Sequence, residues 1–179
     1  MIFTMISTFY PDEYLDSPYT IDFAPYYESG FRGILFDIDN TLVPHGAPAT
    51  GEAVAFFKRL HALGFATCLI SNNKEARVKP FADAVGSGYV FKADKPLAHG
   101  YREGMTKMNT IPATTLFVGD QLFTDVWGAK RLEIHTILVR PIDKKEEVQI
   151  VLKRFLEKPV LWMYERKQRK PNRSKESRA

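Results

Sequence analysis

Asp37 and Asp39 stand two residues apart at the end of the apolar run GILFDIDNT. Neighbouring acids repel, and burying either is costly without a partner. Such a pair is either a solvated turn or part of a site that expects a cation and a reaction. Three other stretches carry related groups: Ser71 and Asn72 in SNN, Lys95 in DKP, and Asp120 and Asp125 in GDQLFTD. Each is weak alone. Asp is a frequent turn former, Ser and Asn cap helices, and one Lys-Pro says little. The four become informative if the fold delivers them to one place.

The pattern around them does so. GILFDI reads as a buried strand. Residues 51–63 place Ala53, Phe56, Phe57, Leu60 and Leu63 at helical spacing, with Gly64 as a stop signal. FATCLI is a second strand, residues 74–84 a helix and GYVFKA a third strand. Pro96 suits the first turn of a helix whose stripe is Leu97, Tyr101, Met105 and Met108. TLFVGD is a fourth strand, followed by a helix near 123–132, and IHTILV is a fifth. Residues 143–157 carry the stripe Val148, Val151, Leu152, Phe155 and Leu156. Residues 1–30 show no sustained period and read as an irregular arm with one helical turn near PDEYLDS. Alternating strands and helices imply an α/β fold, a Rossmann-like parallel sheet with helices on both faces.

In such folds ligands bind beyond the carboxyl ends of the strands. Each of the four stretches follows one strand, so all share one crevice. If the extended geometry lasts to Asp39, Asp37 and Asp39 project to the same side. Asp120 and Asp125 approach from the fourth strand. Carboxylates converging there call for a hard divalent ion, and magnesium prefers oxygen ligands together with waters and phosphate. Ser71 adds a hydroxyl and Lys95 a mobile positive charge. These are parts for holding a phosphoryl group and stabilising charge as it transfers.

On those residues the sequence resembles the haloacid dehalogenase superfamily over about residues 31–140. DIDNT matches its first motif, Ser71 its second, Lys95 its third and GDQLFTD its fourth. With ILFDIDNTLVP, KP and RPIDKKEE added, it looks like the YqeG-type subclass III A phosphatases, relatives of the phosphatidylglycerophosphate phosphatases. The resemblance implies that Asp37 attacks phosphorus and becomes an aspartyl-phosphate. It implies that Asp39 protonates the leaving oxygen and then activates water. Magnesium is expected on the Asp37 carboxylate, the Asp39 backbone carbonyl and Asp120, with Asp125 either reaching the metal through water or holding Lys95. Ser71 and Lys95 are expected to grip the phosphoryl oxygens, with Thr41 and Asn72 as supports.

From Asp37 to Ser71 there are 34 residues, and from Ser71 to Lys95 there are 24. Neither interval holds a separate cap domain, so the site should be open. An open site suits a phosphate on something large, unless a second subunit or the N-terminal arm covers it. The division expected is an arm at 1–30, the hydrolase domain at 31–158 and an aromatic-basic tail at 159–179, disordered at its end.

Charge and composition bound the rest. Residues 165–179 carry a net charge of +5, and the other 164 residues a net of −1. The body is near neutral and the tail is basic, which suits anionic lipid, RNA or an acidic protein. PVLWMYERKQRK sets Trp162 and Tyr164 before that cluster, as at a membrane interface. The bland reading is that the apolar ends pack on the domain and the charged end is solvated. The one cysteine, Cys68, lies in an apolar run and reads as a core residue. No run approaches the roughly 20 apolar residues that span a bilayer. The opening MIFTMISTFY lacks the basic region and cleavage site of a signal peptide. A cytoplasmic protein, peripheral at the membrane through its tail, is the expectation.

The leading function is therefore magnesium-dependent hydrolysis of a phosphomonoester, with phosphatidylglycerophosphate the best single substrate. One alternative keeps the chemistry and changes the substrate to a soluble ester. Another is a binding protein that uses the phosphate pocket and basic tail to dock on RNA or a ribosomal particle. Complete catalytic motifs argue against that last reading, since a pure binder does not need Asp39.

Overall fold

The computed structural model describes residues 7–143 and 148–168. Six strands form one parallel sheet: β1 (Glu13–Leu15), β2 (Gly33–Phe36), β3 (Ala66–Ile70), β4 (Gly88–Val90), β5 (Thr115–Gly119) and β6 (His135–Val139). Their spatial order is β1-β6-β5-β2-β3-β4. The helices are α1 (Ala24–Glu28), α2 (Gly51–Leu63), α3 (Glu75–Val85), α4 (Ala98–Met108), α5 (Trp127–Lys130) and α6 (Val148–Gln168).

Strand β2 is central, between β5 and β3, and all four of its residues are buried. Its side chains divide by the period of two. Ile34 and Phe36 join Phe56, Phe57, Val78 and Phe81 on the face covered by α2 and α3. Leu35 joins Cys68, Tyr101, Met105 and Phe117 on the face covered by α4. A parallel sheet covered on both faces explains why its strands read as continuous apolar runs. Cys68 is fully buried, and burial pushes its thiol up to about 12, as befits an inert core residue.

Helix α4 packs close enough to the sheet that Gly104 has no room for a side chain. A Cβ there would lie 2.6 Å from Leu35 Cδ2 and 3.3 Å from Ile70 Cγ2. Helix α2 starts at Thr50, whose hydroxyl accepts from Ala53 N at 3.1 Å, and stops at Gly64 with φ +99°.

Three local expectations change. Residues 13–15, expected in a helical turn, form the edge strand β1 and pair with β6 in register Glu13↔Ile137. Asp12 fastens it: its Oδ2 accepts from Thr136 N and Thr136 Oγ1, both at 2.8 Å. Pro96 lies ahead of α4, which begins at Ala98 with Leu97 as its N-cap. The last helix does not stop at 157; α6 runs through Pro159 to Gln168. Val160 and Leu161 pack under the sheet edge with Leu122, Val126 and Leu138. Tyr164 is buried against Tyr10, at a ring separation of 5.5 Å, while Trp162 stays exposed. The stripe expected at Val148, Val151, Leu152, Phe155 and Leu156 lies outside the residues whose side chains are described, as do residues 1–6, 144–147 and 169–179.

Gly104→Val would overpack the α4–sheet contact. Urea unfolding is expected to show a loss of about 1–3 kcal/mol.

Candidate active site

The four motif stretches meet at the carboxyl edge of the sheet. Asp37 continues β2, its N–H donating to Val118 O at 3.0 Å. Ser71 follows β3, with its N–H on Val90 O at 3.0 Å. Lys95 follows β4 by way of Asp94, which holds φ +49°. Asp120 follows β5, and Asp125 sits in a single π-helical turn, Leu122–Val126. Such turns often mark functional positions.

Asp37, Asp120 and Asp125 are all buried, and one carboxylate oxygen of each lies within 4.8 Å of the others. Lys95 Nζ lies among them, 2.5 Å from Asp37 Oδ1 and 2.8 Å from Asp125 Oδ1. Thr41 Oγ1, fully buried, reaches Asp120 Oδ1 at 3.2 Å and Asp37 Oδ2 at 3.4 Å. Asp125 Oδ2 accepts from the N–H groups of Asp120 at 3.2 Å and Gln121 at 3.0 Å. That contact explains Gly119: a Cβ there would lie 2.5 Å from Asp125 Oδ2. The turn is braced from below by Tyr101, whose hydroxyl donates to Thr124 O at 2.5 Å. It is braced from outside by buried Glu157 of α6, whose Oε1 accepts from Leu122 N at 2.8 Å.

Among the described residues, Lys95 is the ammonium that reaches these carboxylates. The electrostatics follow. Burial pushes the Asp37 carboxyl up to about 8; Lys95 opposes this, while Asp125 and Asp120 push the same way. Burial would lower the Lys95 ammonium, but the carboxylates of Asp125 and Asp37 outweigh it and hold it well above its ordinary value. A donor set of three buried carboxylate oxygens within 4.8 Å of one another fits a divalent cation such as magnesium.

The remaining motif residues sit around this cluster. Ser71 is buried, and its Oγ accepts from Asn73 N at 3.1 Å. Asn72 braces the Lys95 backbone on both sides, accepting from Lys95 N at 2.7 Å and donating to Lys95 O at 3.1 Å. The side chain of Asp39 stands apart from the triad. Its oxygens accept from Gly46 N at 2.8 Å, Asn73 Nδ2 at 2.8 Å and Arg77 Nη2 at 2.9 Å. Just beyond it, Asn40 turns the chain at φ +64°. Asn40 O then accepts from Ile142 N at 3.1 Å, which ties the RPID segment to the first motif.

Together Asp37, Asp39, Ser71, Asn72, Lys95 and neighbouring side chains line a cleft of about 170 Å³. Among the described residues, none of the N-terminal arm lines it. The arm instead supports the first motif from behind, where the Tyr19 hydroxyl donates to Leu42 O at 2.5 Å. Asn73, Arg77 and Glu157 belong to the site but were not singled out by sequence. Arg77 had a faint signal, a cation in the first turn of the helix after SNN. Glu157 had none.

A Bacillus subtilis (strain 168) protein named "Probable phosphatase YqeG" is 33% identical over 160 residues, 89% of this chain and 93% of that protein. The chain belongs to the haloacid dehalogenase-like hydrolases. That family's profile matches residues 47–133, which include Ser71, Lys95, Asp120 and Asp125. Asp37 and Asp39 lie outside that span but inside the cleft it helps to build. Solved structures agree on the fold. An uncharacterised protein from Listeria monocytogenes serotype 4b aligns with TM-score 0.51 and 16% identity, covering 66% of this chain and 86% of that one. A candidate 3-deoxy-D-manno-octulosonate 8-phosphate phosphatase from Vibrio cholerae aligns with TM-score 0.51 and 15% identity, covering 64% and 68%. In this hydrolase the interval from Asp37 to Ser71 holds a loop, α2 and β3, and that from Ser71 to Lys95 holds α3 and β4. Neither carries a cap.

Lys95→Met would leave the buried carboxylates without their cation. The metal-free variant is expected to lose about 3–5 kcal/mol in urea unfolding at neutral pH. Added divalent cation should restore part of that loss.

Proposed function

We propose that the protein is a magnesium-dependent phosphomonoester hydrolase working through an aspartyl-phosphate on Asp37. The observation that carries this reading is the convergence of the buried carboxylates of Asp37, Asp120 and Asp125 around Lys95. Magnesium bound there would offset carboxylate charge and polarise a phosphoryl oxygen. Asp37, Asp120 and the Asp39 backbone carbonyl are its proposed ligands, with Asp125 as the support of Lys95.

The protein groups divide the work. Asp37 attacks phosphorus as the bond to the ester oxygen breaks, and Asp39 gives that oxygen a proton. Water then attacks the aspartyl-phosphate while Asp39 takes its proton. Inorganic phosphate leaves, and the Asp37 carboxylate is restored. Lys95 and the Ser71 hydroxyl hold phosphoryl oxygens through both steps. Thr41 and Asn72 hold the groups that do this.

The substrate we propose is phosphatidylglycerophosphate, or another phosphate ester too large for the cleft. Binding pockets for whole small molecules usually measure roughly 300–1,000 Å³. At about 170 Å³ this cleft takes a phosphoryl group and leaves the remainder outside. Three exposed apolar residues lie on chain segments next to the motifs. Phe91, Leu97 and Ile142 are 38%, 54% and 46% exposed. Their chain segments border the motifs: Lys92 N donates to Asn73 O, and Ile142 N to Asn40 O. On α6, Trp162 is exposed with Arg166 over its ring, a pairing suited to the surface of an anionic bilayer. Among the described residues no helix is long and apolar enough to cross a membrane, so the contact proposed is peripheral.

Phosphate release from phosphatidylglycerophosphate in mixed micelles tests both levels. Turnover should need magnesium, stop with chelator, and fall by more than about 10³-fold in Asp37→Asn. Faster release from the lipid than from soluble sugar or nucleotide phosphates supports the lipid. Release from soluble esters alone keeps the chemistry and removes the lipid. Salt-dependent RNA binding without any turnover would replace both with a docking role.

A further inference from the structure

Of the two first-motif acids, only Asp37 joins the buried triad. Asp39 lines the same cleft but is held by a separate set of donors. Gly46 N and Arg77 Nη2 occupy Oδ1, and Asn73 Nδ2 occupies Oδ2. Arg77 and Asp39 are both largely shielded, with side chains 20% and 12% exposed. The guanidinium lies 5.7 Å from the Phe81 ring, one helical turn further along α3. Its Nε is the one buried side-chain polar atom among the described residues without a hydrogen-bond partner. A buried donor left unsatisfied is unfavourable and calls for a reason. Neither helix propensity nor core packing supplies one, since an apolar side chain over Phe81 would serve both. The Arg77–Asp39 bond does.

We propose that Arg77, helped by Asn73, is a positioning residue for Asp39. It fixes the carboxylate on the α3 side of the cleft, where the ester oxygen of a substrate seated on Asp37 emerges. Without it Asp39 has a competing cation in Lys95, which lines the same cleft. A carboxylate drawn to Lys95 would crowd the phosphoryl position and no longer face the leaving oxygen. A charge-assisted bond from a planar guanidinium is directional enough to prevent this. The proposal rests on the reading of Asp39 as the group that protonates the leaving oxygen.

Leaving groups separate positioning from plain structural support. Para-nitrophenolate departs without a proton, whereas the alkoxide of glycerol phosphate needs one. With magnesium present, Arg77→Ala should lower kcat/KM, which reports the step that expels the leaving group, at least about 10-fold more for glycerol phosphate than for para-nitrophenyl phosphate. Arg77→Lys should recover part of the loss. In an Asp39→Asn background, Arg77→Ala should add less than about 2-fold. Equal losses on both esters would reduce Arg77 to a structural residue and overturn the proposal. A raised KM with kcat unchanged would make it a direct phosphate ligand and also overturn it. If Asp39→Asn turns over glycerol phosphate at the full rate, the acid role of Asp39 itself fails, and the proposal with it. A crystal structure of Arg77→Ala decides independently of turnover. The Asp39 carboxylate should have left Asn73 and Gly46, and finding it in place would overturn the proposal.

Discussion

Three acids buried around one lysine are the constraint on which this structure turns. Low polarity makes each carboxylate expensive, and each is held by a defined donor. Asp125 takes Lys95 on one oxygen and two backbone N–H groups on the other. Asp37 shares that lysine, and Asp120 takes the Thr41 hydroxyl. Such a cluster does little for stability, since buried ion pairs seldom outdo apolar packing. Under the proposed function its value is chemical: it would hold a cation and an anion brought with it.

The rest of the fold serves that arrangement. Parallel strands bring four turns to one edge, and helices on both faces keep the strands dry. The turns are then fixed from behind. Tyr19 holds the first, Asn72 joins the second to the third, and Tyr101 and Glu157 hold the fourth. Gly119 matters because it has no side chain, which lets the Asp125 carboxylate close over the backbone of Asp120.

What the sequence made legible follows from range. The central strands and α2 announce themselves through local period, and the motif residues through their order after successive strands. The convergence of Asp37, Asp120 and Lys95 could be anticipated because the ends of successive parallel strands share one edge of the sheet. Three features escaped for physical reasons. Strand β1 has three residues, too few for a period, and exists through its pairing with β6. The helix α6 contains Pro159, which removes a backbone donor and reads locally as a stop, yet tertiary contacts of Leu161 and Tyr164 carry it onward. The partners of Asp39 lie 7, 34 and 38 residues along the chain, at Gly46, Asn73 and Arg77, beyond the reach of local alternation.

The pairing of β1 with β6 also orders events in time. Asp12 finds its partner Thr136 at a separation of 124 residues, and the brace at Leu122 arrives 35 residues later in the chain, on Glu157. As the chain is synthesised, its first strand must wait while nearly the whole sheet is laid down beside it. Until then β5 presents an open parallel edge, the kind of surface that invites pairing with other chains. The β5 edge is therefore covered only once β6 pairs there with β1 outside it, and the Glu157 brace on the turn bearing Asp125 comes later still in the chain.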